Sequence, residues 1–316
     1  MTLPDDVQAG VARRARGSAR LAGLLASLTF VSTLLTGSLN FSEGGGRAFQ
    51  ALVNGAAGDE RAFSLLAFVL LAGIPYAAGV MLFLAAHEMG HYLACRYYGV
   101  PCTPPYFIPA PVVFLFGTLG AVIRIKGAIP DRRVLFDIGV AGPLAGFPVA
   151  LGFTWWGLVT AETAGPAPDG GFIVFGDSLL TRLVTLLVHG DAGAELLANG
   201  AFMAGWFGLL ATTMNLIPAG QLDGGHIVFA VLPRWHRAAS LAAALFLIAL
   251  VVSRWAFHGE YSAWMLWAVI LLVLGRRHPP VVRGRPGLGK GRFIVALAAA
   301  AVLVVSFMPH PIAIFD

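Results

Sequence analysis

Charge is scarce in this sequence. Asp, Glu, Lys and Arg make up 12% of its 316 residues, where an ordinary soluble domain carries about 25%, so a soluble globular class is excluded for most of the chain. Cysteine is scarcer still: Cys95 and Cys102 are too few for a disulfide framework and are not spaced as a metal-binding CxxC pair. The first apolar run, 21–39, has no Ala-x-Ala cleavage site, and it reads as a retained span with a cytosolic N-terminus instead of a removed signal peptide. No aromatic signature of RNA binding accompanies the net charge of +5. Nucleic acid is therefore excluded as a partner, and the basic residues are read as flanks of membrane spans.

What remains is apolar. Hydrophobic residues make up 58% and the mean hydropathy is +0.79, which predicts an all-α polytopic membrane protein in contact with the lipid bilayer. Spans are expected at 21–39, 62–95, 137–159, from about 200, and at 238–255, 263–274 and 293–308, about seven in all. Segment 100–125 is apolar enough to cross, but Pro101, Pro104, Pro105, Pro109 and Pro111 forbid one straight helix. Its later part, 112–125, is expected to form a short membrane-associated β-hairpin broken at Gly117 and Gly120. Asp137 is expected to cap the third span. Segments 40–61 and 162–199 read as loops, the latter with a short amphipathic stretch at 179–188. Three units follow: 1–61, a catalytic membrane core at 62–232, and C-terminal spans at 233–316. With the hairpin not crossing, 17 of the 21 Lys and Arg residues fall on the cytosolic side, as the positive-inside rule requires.

Within the second span lies His87-Glu88-Met89-Gly90-His91. On a helix, positions i and i+4 share a face, so both imidazoles can reach one metal while Glu88 stands beside them as a general base. A carboxylate at membrane depth costs about 2.5–3.5 kcal/mol, which argues for a purpose. A catalytic zinc takes three protein ligands, and Asp223 is the expected third, because Pro218, Gly220, Gly224 and Gly225 break the fourth span around it. His226 reads as packing or a partner behind the ligands, since His87, His91 and Asp223 suffice. Asn215 has two readings, a donor to a developing oxyanion and an interhelical hydrogen bond. Gly142 and Gly146 form a GxxxG face for close helix packing. A transporter or metal-permeation protein is the competing reading, since broken helices with buried acids also build ion sites, but no inverted repeat is visible. A non-proteolytic scaffold would be expected to lose Glu88 first. A zincin using Glu162 or Glu195 as third ligand would need a residue from the opposite side of the membrane.

The chain resembles the site-2 proteases, intramembrane zinc metalloproteases. The resemblance rests on HEMGH at 87–91, AGPLAG at 141–146, and Asn215 with PAGQLDGG at 218–225. It covers about 62–232 and is most similar to the cyanobacterial and chloroplast branch. It implies one Zn2+ held by His87, His91 and Asp223, Glu88 as the catalytic carboxylate, and Asn215 as a transition-state helper. It also implies a single-span membrane-protein substrate, such as a membrane-anchored regulatory factor, cut within or near its transmembrane segment in regulated intramembrane proteolysis. Many relatives carry a PDZ domain; neither 96–137 nor 162–199 is long enough for one. A bacterial inner membrane is the expected location, with the site toward the cytosol. Because a transmembrane helix hides its carbonyls, a substrate must unwind, and Gly117, Thr118, Leu119 and Gly120 are expected to bind the unwound strand.

Overall fold

The computed structural model describes residues 5–42, 44–54, 59–112, 114–164, 172–259, 262–274 and 287–315. They are mostly helical. Helix α1 (Asp5–Phe41) is followed by α2 (Gly45–Val53) and by the 39-residue α3 (Asp59–Tyr97), which runs through Pro75 without interruption. Strands β1 (Tyr106–Pro109) and β2 (Thr118–Val122) precede α4 (Arg132–Val159). Next come β3 (Phe172–Phe175), α5 (Leu179–His189), α6 (Gly200–Leu216) and α7 (Asp223–Val231). The C-terminal part contains α8 (His236–His258), α9 (Trp264–Leu274), α10 (Lys290–Ser306) and β4 (Ile312–Phe315).

Four helices among the described residues are long and apolar enough to cross a bilayer: Gly17–Phe41, Arg61–Tyr97, Arg132–Val159 and His236–Phe257. The expected count of about seven is therefore reached only in part. Helices α6 and α10 have 17 residues each and α9 has 11, and at 1.5 Å per residue even the longer two rise only about 25 Å against a hydrocarbon core of about 30 Å. For α6 the shortening has a visible cause, since Pro218 removes a backbone donor just past Leu216 and the chain turns before α7 begins.

Three local expectations change. Segment 40–61 contains a helix, α2, which packs against α3. The strand pair does not lie within 112–125: β2 pairs antiparallel with β1, setting Tyr106 opposite Val122 and Phe107 opposite Ala121. Pro109 is tolerated there because the register is irregular between Phe107 and Pro109, where a missing amide hydrogen disturbs least. Finally, Asp137 does not cap α4. The helix starts five residues earlier, at Arg132, where Asp131 Oδ1 accepts from the amides of Arg133 and Val134 at 2.8 and 3.1 Å.

Helices α3, α4 and α6 pack on one another and form the centre of the molecule. Tyr76, Phe83, Met203, Trp206 and Leu209 are fully buried there. The turn between β1 and β2 is tied to this centre twice: Tyr76 donates to the Phe116 carbonyl at 3.0 Å, and Ser32 of α1 donates to the Gly117 carbonyl at 2.7 Å. Strand β3 pairs with β4, and the Trp206 indole donates to the Gly176 carbonyl at 2.8 Å.

The α4 cap is testable. Asp131→Ala should destabilise the protein by about 1 kcal/mol, and Asp131→Asn, which keeps a capping oxygen, by a few tenths; unfolding midpoints in mixed detergent micelles separate the two.

Candidate metal centre

Three segments build the centre. The last turns of α3 carry His87, Glu88 and His91, a turn of α4 lies across them, and the first residue of α7 is Asp223. Asp223 sits in the first helical turn, where the free amides and the helix dipole favour a carboxylate. His87, Glu88 and His91 are buried at 4%, 6% and 7% exposure.

Nε2 of His87 and Nε2 of His91 are 3.1 Å apart, and Oδ2 of Asp223 lies 3.4 and 3.3 Å from them. An ion bound tetrahedrally at about 2.0–2.1 Å holds its ligand atoms roughly 3.3–3.4 Å apart. The two edges to Asp223 have that length, and the imidazole–imidazole edge, at 3.1 Å, is slightly shorter. The two carboxylate edges are longer than a charge-assisted N–H to carboxylate bond, which is about 2.7–2.9 Å. His91 gives a second sign. Its Nδ1 lies 2.7 Å from the Ile138 carbonyl of α4, an oxygen that can only accept, so Nδ1 carries the proton and Nε2 presents a lone pair to the other two ligand atoms. A lone pair facing a carboxylate is repelled by it unless a cation sits between them. Two imidazoles and one carboxylate suit Zn2+, and among the described residues this is the one group of His, Cys, Asp or Glu side chains placed to hold a metal.

The α4 turn fixes the ligands sterically as well. A Cβ at Gly142 would overlap the imidazole of His91, and a Cβ at Gly90 would overlap the Ala141 carbonyl, so the two helices meet at backbone distance where the ligands emerge. Gly146 is less tight, with a Cβ there 2.9 Å from Phe83 and 3.3 Å from the His87 Cβ. The GxxxG face thus packs helices, as its spacing suggests, and in addition makes room for a ligand ring. His226 turns its Cβ toward Gly139 of α4, a packing position.

Glu88 stands apart from the ligand triangle, and its carboxylate faces the Ile123 amide just past β2. Asn215 lies half-buried near the end of α6, one residue before Leu216. The set 117–120 divides. A Cβ at Gly117 (φ 66°) would meet the Ser32 carbonyl of α1 at 2.8 Å, and the Thr118 hydroxyl donates to Ile108 at 2.8 Å, so these two anchor the strand pair inward. Leu119 is 65% exposed, and a Cβ at Gly120 would meet nothing within 4 Å. Both cysteines are free. The sequence offered no sign of the Ile138 carbonyl or the Ile123 amide, since main-chain atoms are carried by every residue; the AGPLAG glycines were the one available pointer to a helix pressed on the ligands.

Gly142→Ala should weaken zinc binding at least tenfold by displacing the His91 ring, on the scale of lost ligand support. Gly152→Ala on the same helix, where a Cβ would meet nothing within 4 Å, should leave zinc affinity unchanged and stabilise α4 by up to about 1 kcal/mol; chelator competition and thermal unfolding read the two effects.

The comparisons with known proteins agree with this geometry. The profile described as Peptidase family M50 matches residues 75–253, more than half of the chain and the whole of the centre. "Probable zinc metalloprotease EGY2, chloroplastic" of Arabidopsis thaliana is 36% identical over 168 residues, covering 52% of this chain and 29% of the relative. Its namesake from Oryza sativa subsp. indica is 36% identical over 203 residues, 61% of this chain and 34% of the relative. "Probable zinc metalloprotease EGY1, chloroplastic" of Oryza sativa subsp. japonica is 38% identical over 169 residues, 51% and 28%. The chain spans about a third of the length of these relatives. Their chloroplast names give no support to the expected bacterial inner membrane, and the apolar helices establish an integral membrane protein without naming the membrane. By a family match that includes both ligand-bearing segments, the chain belongs to peptidase family M50, the site-2 proteases.

Proposed function

We propose that this protein is a zinc metalloendopeptidase that hydrolyses a peptide bond within or near a transmembrane segment of a membrane-protein substrate. The observation that carries the reading is the triangle of His87, His91 and half-buried Asp223 with Glu88 beside it, its imidazoles and Glu88 carried by a helix long enough to cross a bilayer. A zinc ion held there supplies Lewis acidity to a peptide carbonyl and to water.

The chain's own groups do the rest. Glu88 takes the proton from the attacking water and returns it to the leaving amine. Asn215, half-buried at the end of α6, donates to the carbonyl oxygen as negative charge develops on it. Burial of the centre excludes bulk water, which strengthens each of these contacts.

An intact transmembrane helix offers no carbonyl for attack, because its backbone bonds are closed on themselves. Strand β2 has one neighbour, β1, and its other edge is unpaired among the described residues. An unwound substrate segment adds along that edge beside Leu119 and Gly120, which places it next to Glu88 through Ile123. The substrate is a single-span protein such as a membrane-anchored regulatory factor, and the excess of basic residues beyond one face of the spans orients the N-terminus and the centre toward the cytosol.

Two outcomes check the reading on purified, zinc-loaded protein with a panel of single-span substrates. Glu88→Gln should retain about one zinc per chain and lose hydrolysis by three orders of magnitude or more, since the ligands survive and the base does not; hydrolysis at the wild-type rate would contradict the assignment. Leu119→Pro should reduce cleavage of transmembrane substrates more than that of a short unstructured peptide, because proline cannot donate to an added strand. Equal losses on both would contradict strand addition.

A further inference from the structure

One turn of α4, residues 137–142, touches both arms of the metal centre. Its Ile138 carbonyl accepts from His91, Gly142 underlies the same ring, and Gly139 faces the Asp223 and His226 segment, with a Cβ there 3.4 Å from the Asp223 carbonyl oxygen. The first residue of this turn, Asp137, points the other way and is held hard. Arg292 of α10 grips it bidentately, Nε to Oδ1 at 2.8 Å and Nη2 to Oδ2 at 2.6 Å, and the Tyr98 hydroxyl, just past α3, donates to Oδ2. Arg292 also reaches the Tyr98 oxygen at 3.5 Å and the Leu288 carbonyl at 3.3 Å. One turn earlier, Arg133 Nε donates to the Gly287 carbonyl at 2.7 Å, so the entry to α10 is fastened to the start of α4 at two points.

This is more than a surface ion pair. The Arg292 and Asp137 side chains are only 30% and 24% exposed, the fork geometry is the strong form of the contact, and burial together with the Asp137 carboxylate pushes the Tyr98 phenol up, keeping it a donor. Nothing in the ligand chemistry requires such a fastening. Its place, one residue before the carbonyl that orients His91, does explain it.

We propose that the Tyr98–Asp137–Arg292 clamp positions the metal centre: by fixing the height and rotation of the 137–142 turn, it sets the Ile138 carbonyl behind His91 and the glycine floor beneath both ligand arms. Arg292 is then a positioning residue, and α10 is coupled to the chemistry although it supplies no ligand. For its effect on catalysis this rests on the zinc-protease reading above; for its effect on zinc binding it does not.

The test uses the full chain in detergent and zinc alone as the probe. Arg292→Gln should weaken zinc binding about tenfold, the usual scale for losing support behind a ligand, and should shrink the rise in Tm that zinc produces, with Arg292→Lys recovering part of both. Cobalt substituted for zinc should show a shifted visible spectrum in Arg292→Gln and a near-native one in Arg292→Lys. If zinc affinity and the cobalt spectrum stay as in the wild type while the Tm of zinc-free and zinc-loaded protein fall by the same amount, the clamp is merely structural and the proposal is overturned. Should Arg292→Gln fail to fold, Tyr98→Phe, which removes one bond of the network, should still weaken zinc binding about threefold, and wild-type affinity there would overturn it. A wild-type protein that binds zinc and cleaves nothing would count against the protease reading and leave this comparison intact.

Discussion

The structure turns on the cost of placing ionisable side chains at membrane depth. Two carboxylates and two imidazoles sit in a chain that is otherwise poor in charge; His87, Glu88 and His91 are buried and Asp223 is half-buried. Left unpaired in lipid, Glu88 and Asp223 alone would cost roughly 5–7 kcal/mol. Binding a dication reverses that sign, and the requirement to bring His87, His91 and Asp223 within 3.1–3.4 Å of one another dictates much of the surrounding backbone. Asp223 is more than 130 residues beyond the imidazoles in sequence. It can reach them only because α6 stops at Leu216 and the chain turns at depth, which is tolerable because the turn is buried in protein.

The same constraint explains the small residues. Helices carrying ordinary side chains pack 8–10 Å apart; at Gly90 and Gly142 the backbones of α3 and α4 come close enough that a methyl group on either would collide. That closeness lets a main-chain carbonyl of α4 serve as the hydrogen-bond acceptor behind His91. Packing and ligand orientation are therefore one feature of the fold, and two helices that supply no ligand, α1 and α10, hold the strand pair in one case and the 137–142 turn in the other.

Much of the centre was legible in the sequence because its ligands announce themselves by residue type. His87 and His91 at helical spacing, and Asp223 in a proline and glycine break, stand out against an apolar background, and the structure brings these three together. What was not legible belongs to the backbone or to pairings distant in sequence. Asp137 looks like a helix cap until Arg292, 155 positions away, is seen gripping it. Gly117 and Gly120 look equivalent in sequence, yet one is pressed against α1 and the other faces open space. The prolines of 100–111 argued correctly against one straight helix, but periodicity could not show that Tyr106–Pro109 would be the strand to pair with Thr118–Val122.

The most direct measurement is X-ray absorption at the zinc edge on stoichiometrically loaded protein, paired with metal analysis of Asp223→Ala. The account predicts one zinc per chain with two imidazole nitrogens and carboxylate oxygen at about 2.0–2.2 Å, and loss of that stoichiometry in the variant. A thiolate shell at about 2.3 Å, which would implicate Cys95 and Cys102 instead, or full zinc retention without Asp223, would contradict it.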